Sequence, residues 1–174
     1  MEYLQLFDKN KNMINEKIDR ELKKSLVDDK YFMLVMIFIE NNDGKFLLQK
    51  TSESRGSVIA TTGGHVSYGD DGFNTTIKEV KEELGITLLP SDIQYVDTIT
   101  WGNCFIEVYY SDREINEKDI KLQEEEVDSV DWYTIEQINK LIEEGIFRKG
   151  NIETFHKILN YKKKILYNNF KKWK

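Results

Sequence analysis

The stretch Gly63-Gly-His-Val-Ser-Tyr-Gly-Asp-Asp-Gly-Phe-Asn-Thr-Thr-Ile-Lys-Glu-Val-Lys-Glu-Glu-Leu-Gly-Ile86 governs the reading of this 174-residue chain. From Asp71 or Gly72 its apolar residues recur at helical spacing. At about 100° per residue, with Phe73 at zero, Ile77, Val80 and Leu84 fall at roughly +40°, −20° and +20°. So narrow a stripe must face a core, and the helix ends before Gly85. Glu79, Glu82 and Glu83 fall at roughly −120°, 180° and −80°, on the flanks of that buried stripe. Carboxylates at i, i+3 and i+4 repel, at about 0.2–0.5 kcal/mol per unfavourable pair. A divalent cation turns that repulsion into coordination, and all-oxygen ligands suit Mg²⁺ or Mn²⁺. Taken alone, such a run is more often a solvated acidic face, here with Lys78 and Lys81 as compensating neighbours.

The loop before the helix makes the pattern more specific. Gly63-Gly64 allows a tight turn and close approach of backbone to ligand, and Gly69 with Asp70 and Asp71 makes a second turn that can cap the helix. The arrangement resembles the Nudix box, G-x5-E-x7-R-E-U-x-E-E-x-G-U. Gly64, Asp70, Lys78, Glu79, Val80, Glu82, Glu83, Gly85 and Ile86 occupy its patterned positions, spanning residues 64–86. Asp70 stands where the family has Glu, and Lys78 where it has Arg. Both keep the charge, so an ion pair supporting the loop is retained as an expectation, without the bidentate fork of arginine.

The resemblance implies an α/β/α sandwich with a mixed β-sheet, and hydrolysis of a nucleoside diphosphate, or another diphosphate, linked to a moiety X. It carries Glu79, Glu82 and Glu83 over as metal ligands, with the Gly63 carbonyl beside them and Mg²⁺ or Mn²⁺ as the cofactor. A further acid from a late strand often joins such sites. Glu126 is the first choice and Glu124, expected on the same strand face, the second. Glu82 and Glu126 are the candidates for general base. Lys50 and Arg55 are candidate phosphate contacts, and His65 a candidate substrate contact. A small-molecule diphosphate or nucleotide is the expected partner, and a homodimer is a frequent arrangement in the family.

Phe32 to Glu40 is a strongly apolar run and reads as a buried strand. Asn42-Asp43-Gly44 turns it into a returning strand at Lys45 to Lys50. Enrichment in β-branched and aromatic residues predicts further strands at Val58 to Thr62, Ile93 to Trp101, Asn103 to Tyr110 and Val127 to Tyr133. A second helix is expected from Thr134, with Gln137 completing a capping box, to Gly145. A third runs from about Asn151 to Phe170; its stripe of Phe155, Ile158, Leu159, Ile165, Leu166, Phe170 and Trp173 is interrupted by Lys162. An opening hairpin (Tyr3 to Phe7, Met13 to Ile18) forms an N-terminal extension of about 30 residues on what is expected to be a single domain. Trp101, Trp132 and Tyr133 read as core aromatics before stacking platforms.

Composition narrows the classes. With 32% charged and 40% hydrophobic residues and one proline, the chain is neither disordered nor collagenous. The one cysteine, Cys104, permits no internal disulfide and fits a reducing, cytoplasmic setting. The longest apolar run, Tyr31 to Ile39, is too short to cross a bilayer, and Met1-Glu2 does not open a basic leader, so no membrane association is expected. The net charge of −6 is uneven: residues 31–156 carry 24 acids and 11 bases, whereas residues 157–174 carry seven lysines and no acid. An acidic centre suits cations, and nucleic acid is not the expected partner, because only the C-terminal tail is basic.

Two alternatives stay open at this point. The N-terminal hairpin looks like that of Nudix proteins related to isopentenyl diphosphate isomerase. That enzyme uses a cysteine just before the Gly-His pair, where this chain has Gly63. Cys104 reads as a small buried hydrophobe, so hydrolase is preferred over isomerase. A non-catalytic nucleotide- or RNA-binding domain on the same fold is the other alternative.

Overall fold

A computed structural model describes residues 2–27 and 29–172, with the side chains of residues 169, 170 and 172 left out of the description. The fold is organised around strand β3 (Phe32–Glu40). Its odd-numbered residues Met33, Val35, Ile37 and Ile39 enter one core, while Leu34, Met36 and Phe38 enter another. A strand apolar at both alternations must be covered on both faces. Helix α1 (Gly72–Leu84) covers the first face through Val80 and Leu84. On the other face lie α2 (Ile135–Glu143) and α3 (Lys149–Lys172), which contribute Ile138, Phe155 and Ile158. The result is the α/β/α sandwich expected from the sequence, with a mixed sheet.

In that sheet β3 runs parallel to β8 (Cys104–Ser111), which pairs antiparallel with β7 (Gln94–Trp101). On its other edge β3 meets β4 (Phe46–Thr51) only at Ile39 and Glu40, and β4 then turns away to pair with β9 (Val127–Tyr133). Residues 59–65 span the gap, pairing with β4 as β5 (Ile59–Ala60) and with β3 as β6 (Thr62–His65). The sequence reading of one strand over Val58 to Thr62 is thus corrected. Thr61 leaves the ladder because its N–H donates to Asn151 Oδ1 and its hydroxyl to the Ile37 carbonyl. That fork in the sheet opens a cavity beside α1.

The hairpin of β1 (Tyr3–Phe7) and β2 (Met13–Asp19) forms as expected. It is fastened to the loop ahead of α1: Gln5 N donates to the Val66 carbonyl at 3.0 Å, Tyr68 N to the Tyr3 carbonyl at 2.8 Å, and Gly69 N to Gln5 Oε1 at 2.9 Å. A 3₁₀ turn over Arg20–Ser25, unforeseen in the sequence, follows. Thr134 and Gln137 form the capping box of α2, and Gly145 sits at φ 71°. Helix α3 starts two residues before the expected Asn151. Lys162, which breaks its apolar stripe, pairs with buried Glu40, whose carboxylate also accepts from Tyr110 Oη at 2.6 Å. The stripe residue Trp173, and the side chain of Phe170, lie outside the described residues.

Candidate active site

Helix α1 is held in register at both ends. The Asp71 carboxylate accepts from Asn74 N at 2.8 Å, and Gly85 adopts φ 71°. The carbonyls of Glu83 and Leu84 accept from Gln123 N at 3.1 Å and Lys121 N at 2.8 Å. Capping of this kind ties the late segment 121–126 to the carboxylate-bearing turn of the helix.

With Val80 and Leu84 pinned to the core, Glu79 and Glu83 are drawn in with them. Glu83 is buried and accepts from Gln49 Nε2 at 3.1 Å; Gln49 Oε1 is itself buried without a hydrogen-bond partner among the described residues. Glu79 lies against Gly64, where a Cβ would stand 2.0 Å from Glu79 Oε1, while a Cβ at Gly63 would stand 2.1 Å from the Val35 carbonyl oxygen. Backbone excludes a side chain at Gly63, whereas one at Gly64 would displace the Glu79 carboxylate. Burial, and then the charges of Glu82 and Glu126, push the Glu79 carboxyl up to about 7. Burial, and then Glu79, push Glu83 up to about 8. Glu82 is half-exposed at the rim of the cavity, with Lys78 Nζ at 4.0 Å. Lys78 is therefore engaged along its own helix, and no Asp70–Lys78 ion pair forms among the described residues; Asp70 instead accepts from Asp71 N.

Glu124 and Glu126 do not share a strand face. They lie in the turn before β9, with Glu124 exposed and Glu126 turned into the cavity. The Glu126 carboxylate pairs with Arg55 at 2.6 Å. Arg148, half-buried, donates to the Arg55 carbonyl, so two guanidinium groups stand on the same wall as Glu126. These side chains line a cavity of about 830 Å³ together with Glu79, Glu82, Glu83, Gly63 and His65. It lies toward the upper end of the range for small-molecule sites, roughly 300–1,000 Å³.

Lys50 does not join them: it points to solvent and pairs with Asp128 at 2.8 Å, as the outward alternation of β4 dictates. His65 lines the cavity, its ring stacked 5.9 Å from Phe32, and its Nε2 accepts from Lys23 Nζ at 2.6 Å. Burial, then the charge of Lys23, hold its pKa down at about 3, so it stays neutral. Cys104 is buried with its thiol pushed up to about 12 by burial, which makes it a poor nucleophile. Trp132 packs against the α1-side core and donates to Glu117, consistent with a core aromatic. Gln49, Arg148, Arg20 and Lys23 were not anticipated. Gln49 alone left a signal: it is a polar residue on the inward alternation Leu47, Gln49, Thr51 of β4.

The donor chemistry fits a hard divalent ion: buried carboxylates, a glycine backbone approach and an unpartnered amide oxygen. The rotamers do not converge on one point, and no cluster of three or more His, Cys, Asp or Glu poised around an ion site occurs among the described residues. Rotation of Glu82 inward and of Glu126 off Arg55 would be needed to complete such a set.

Three comparisons bear on this arrangement. The sequence model for the NUDIX domain matches residues 30–155. An uncharacterized Nudix hydrolase of Yersinia pestis is 25% identical over 154 residues, covering 83% of this chain and 79% of that protein. Among solved structures, a Deinococcus radiodurans protein aligns with a TM-score of 0.68 at 19% identity, over 87% of this chain and 94% of its own. A C. elegans Ap4A hydrolase aligns with a TM-score of 0.55 at 17% identity, over 74% and 96%. At such identities these two likenesses speak to the fold.

Proposed function

The chain belongs to the Nudix family, whose hydrolases cut pyrophosphate bonds, and from that premise we propose that it is a Mg²⁺- or Mn²⁺-dependent pyrophosphohydrolase acting on a nucleotide-like diphosphate. The observation that supports this most is the pair Glu79 and Glu83. Two carboxylates buried side by side on a cavity wall, each held well above its ordinary value, are an arrangement that a bound cation relieves. Glu79, Glu82, Glu83 and the Gly63 carbonyl would hold the ion, which would offset phosphate charge and lower the pKa of a bound water.

The remaining work falls to side chains of this cavity. Arg55 and Arg148 present guanidinium groups to phosphate oxygens, with Arg55 released from Glu126 as it takes up the anion. Glu126, freed in the same exchange, or Glu82, accepts the proton of the attacking water. The neutral His65 offers a hydrogen-bonding edge rather than a charge.

Among the described residues no helix is long and apolar enough to cross a membrane. In the C-terminal lysine tail, Lys162 holds Glu40 and Lys157 holds Asp97 at 2.7 Å, which favours a structural role for the tail over an RNA contact. The buried thiol of Cys104 argues against isomerase chemistry. The reading is tested by phosphate release over nucleoside triphosphates, nucleotide sugars, ADP-ribose, dinucleoside polyphosphates and coenzyme A, with Mg²⁺ and Mn²⁺ compared. Metal-dependent release from at least one is expected. Nucleotide binding without release under either metal would favour a sensor, and an allylic product from isopentenyl diphosphate without phosphate release would favour the isomerase.

A further inference from the structure

Residues 1–29 precede the segment matched by the family model, yet they supply Glu2, Arg20 and Lys23 to the cavity wall. The 3₁₀ turn carrying the two cations is firmly placed. The Asp19 carboxylate caps it through Glu21 N at 3.0 Å, and Arg20 is held by Glu2 through a backbone bond of 2.9 Å and an ion pair of 2.6 Å. Beyond the turn, the Asn103 amide donates to the carbonyls of Val27 and Lys30, fastening the segment to the β7–β8 connection.

The Lys23 ammonium donates to His65 Nε2 and stands 5.7 Å from the Phe32 ring centre. No carboxylate lies within ion-pair distance of it among the described residues. An ammonium group has three N–H donors, and His65 takes one. A partly buried cation with uncommitted donors, lining a cavity, calls for an anion. Arg20, although paired with Glu2, adds a second positive group, and the neighbouring wall of Phe32, Leu34, Trp101 and Ile106 is largely apolar.

We propose that Lys23, backed by Arg20, determines specificity by recognising a second negative charge on the substrate, a phosphate or carboxylate carried by the moiety attached to the diphosphate. This rests on the pyrophosphohydrolase reading. The preferred substrate class is then a diphosphate whose X group is itself anionic, its body lying along the apolar wall.

Matched substrates test this with the full chain: UDP-glucuronate against UDP-glucose, which differ by a carboxylate, and ADP-ribose 1″-phosphate against ADP-ribose, which differ by a phosphate on the X group. The wild type should favour the charged member of at least one pair by about tenfold or more in kcat/KM, the scale of one charge-assisted hydrogen bond. The pair that discriminates identifies the anion. K23M should lose that preference through a raised KM for the charged member, and K23R should restore it. No preference in the wild type, or equal effects of K23M on both members, would overturn the proposal. Should the wild type hydrolyse none of the four, inorganic phosphate is titrated in EDTA by tryptophan fluorescence. Binding lost in K23M would then uphold the anion site although the activity reading had failed; binding unchanged in K23M, or absent from both proteins, would overturn it.

Discussion

Glu79, Glu82 and Glu83 are chemically identical, and their surroundings divide them. Glu83 is 2% exposed, whereas the Glu82 side chain is 51% exposed. Glu82 can therefore change without disturbing the core. In E82Q, kcat should fall by roughly two to four orders of magnitude, the scale of general acid–base catalysis, with the circular dichroism spectrum unchanged. E126Q tests the competing base, and the variant that abolishes the acidic limb of the pH–rate profile identifies it. Full turnover in both variants would remove the two residues from the mechanism.

At the scale of the element, α1 is a helix whose inner flank is costly in the absence of a cation. The carboxyls of Glu79 and Glu83 rise from an ordinary 4.5 to about 7 and about 8. Between pH about 4.5 and about 8 the folded state therefore binds more protons than the unfolded chain. Stability must fall as pH rises through that window. In EDTA the melting temperature should drop between pH 5.5 and 8.0 by roughly 10 °C or more beyond the drop in E79Q/E83Q, at roughly 2–4 °C per kcal/mol for a chain of this size. Added Mg²⁺ or Mn²⁺ should narrow the difference most at pH 8.0, where protons no longer compete for the ligands. Parallel pH slopes for the two proteins would mean that the carboxyls are not buried together.

At the scale of the whole molecule, the forked sheet is the device that makes a cavity, and its far side must hold the fork rigid. Glu40, at the point where β3 and β4 still touch, is anchored through Lys162 to α3 and through Tyr110 to β8. K162M leaves a carboxylate that is 5% exposed without its cation. The expected loss is about 3–5 kcal/mol, read from denaturant unfolding. Pairing K162M with E40Q should recover much of it, and a loss below about 1 kcal/mol for K162M would show that the ion pair is not holding the sheet.

Local chemistry determined what was legible along the chain. The helical stripe of Val80 and Leu84, the capping box at Thr134, the doubly apolar β3 and the Gly63-Gly64 approach each express a propensity or steric need contained within a few residues. They were enough to read the sandwich and the acidic helix. Tertiary structure alone decided what sits opposite: that Arg55 meets Glu126, that Lys50 faces away, that Gln49 reaches Glu83, and that an N-terminal turn brings Lys23 to His65, 42 residues away. Such pairings depend on where the sheet forks and how the hairpin docks, and no short-range periodicity encodes the distance between side chains remote in sequence.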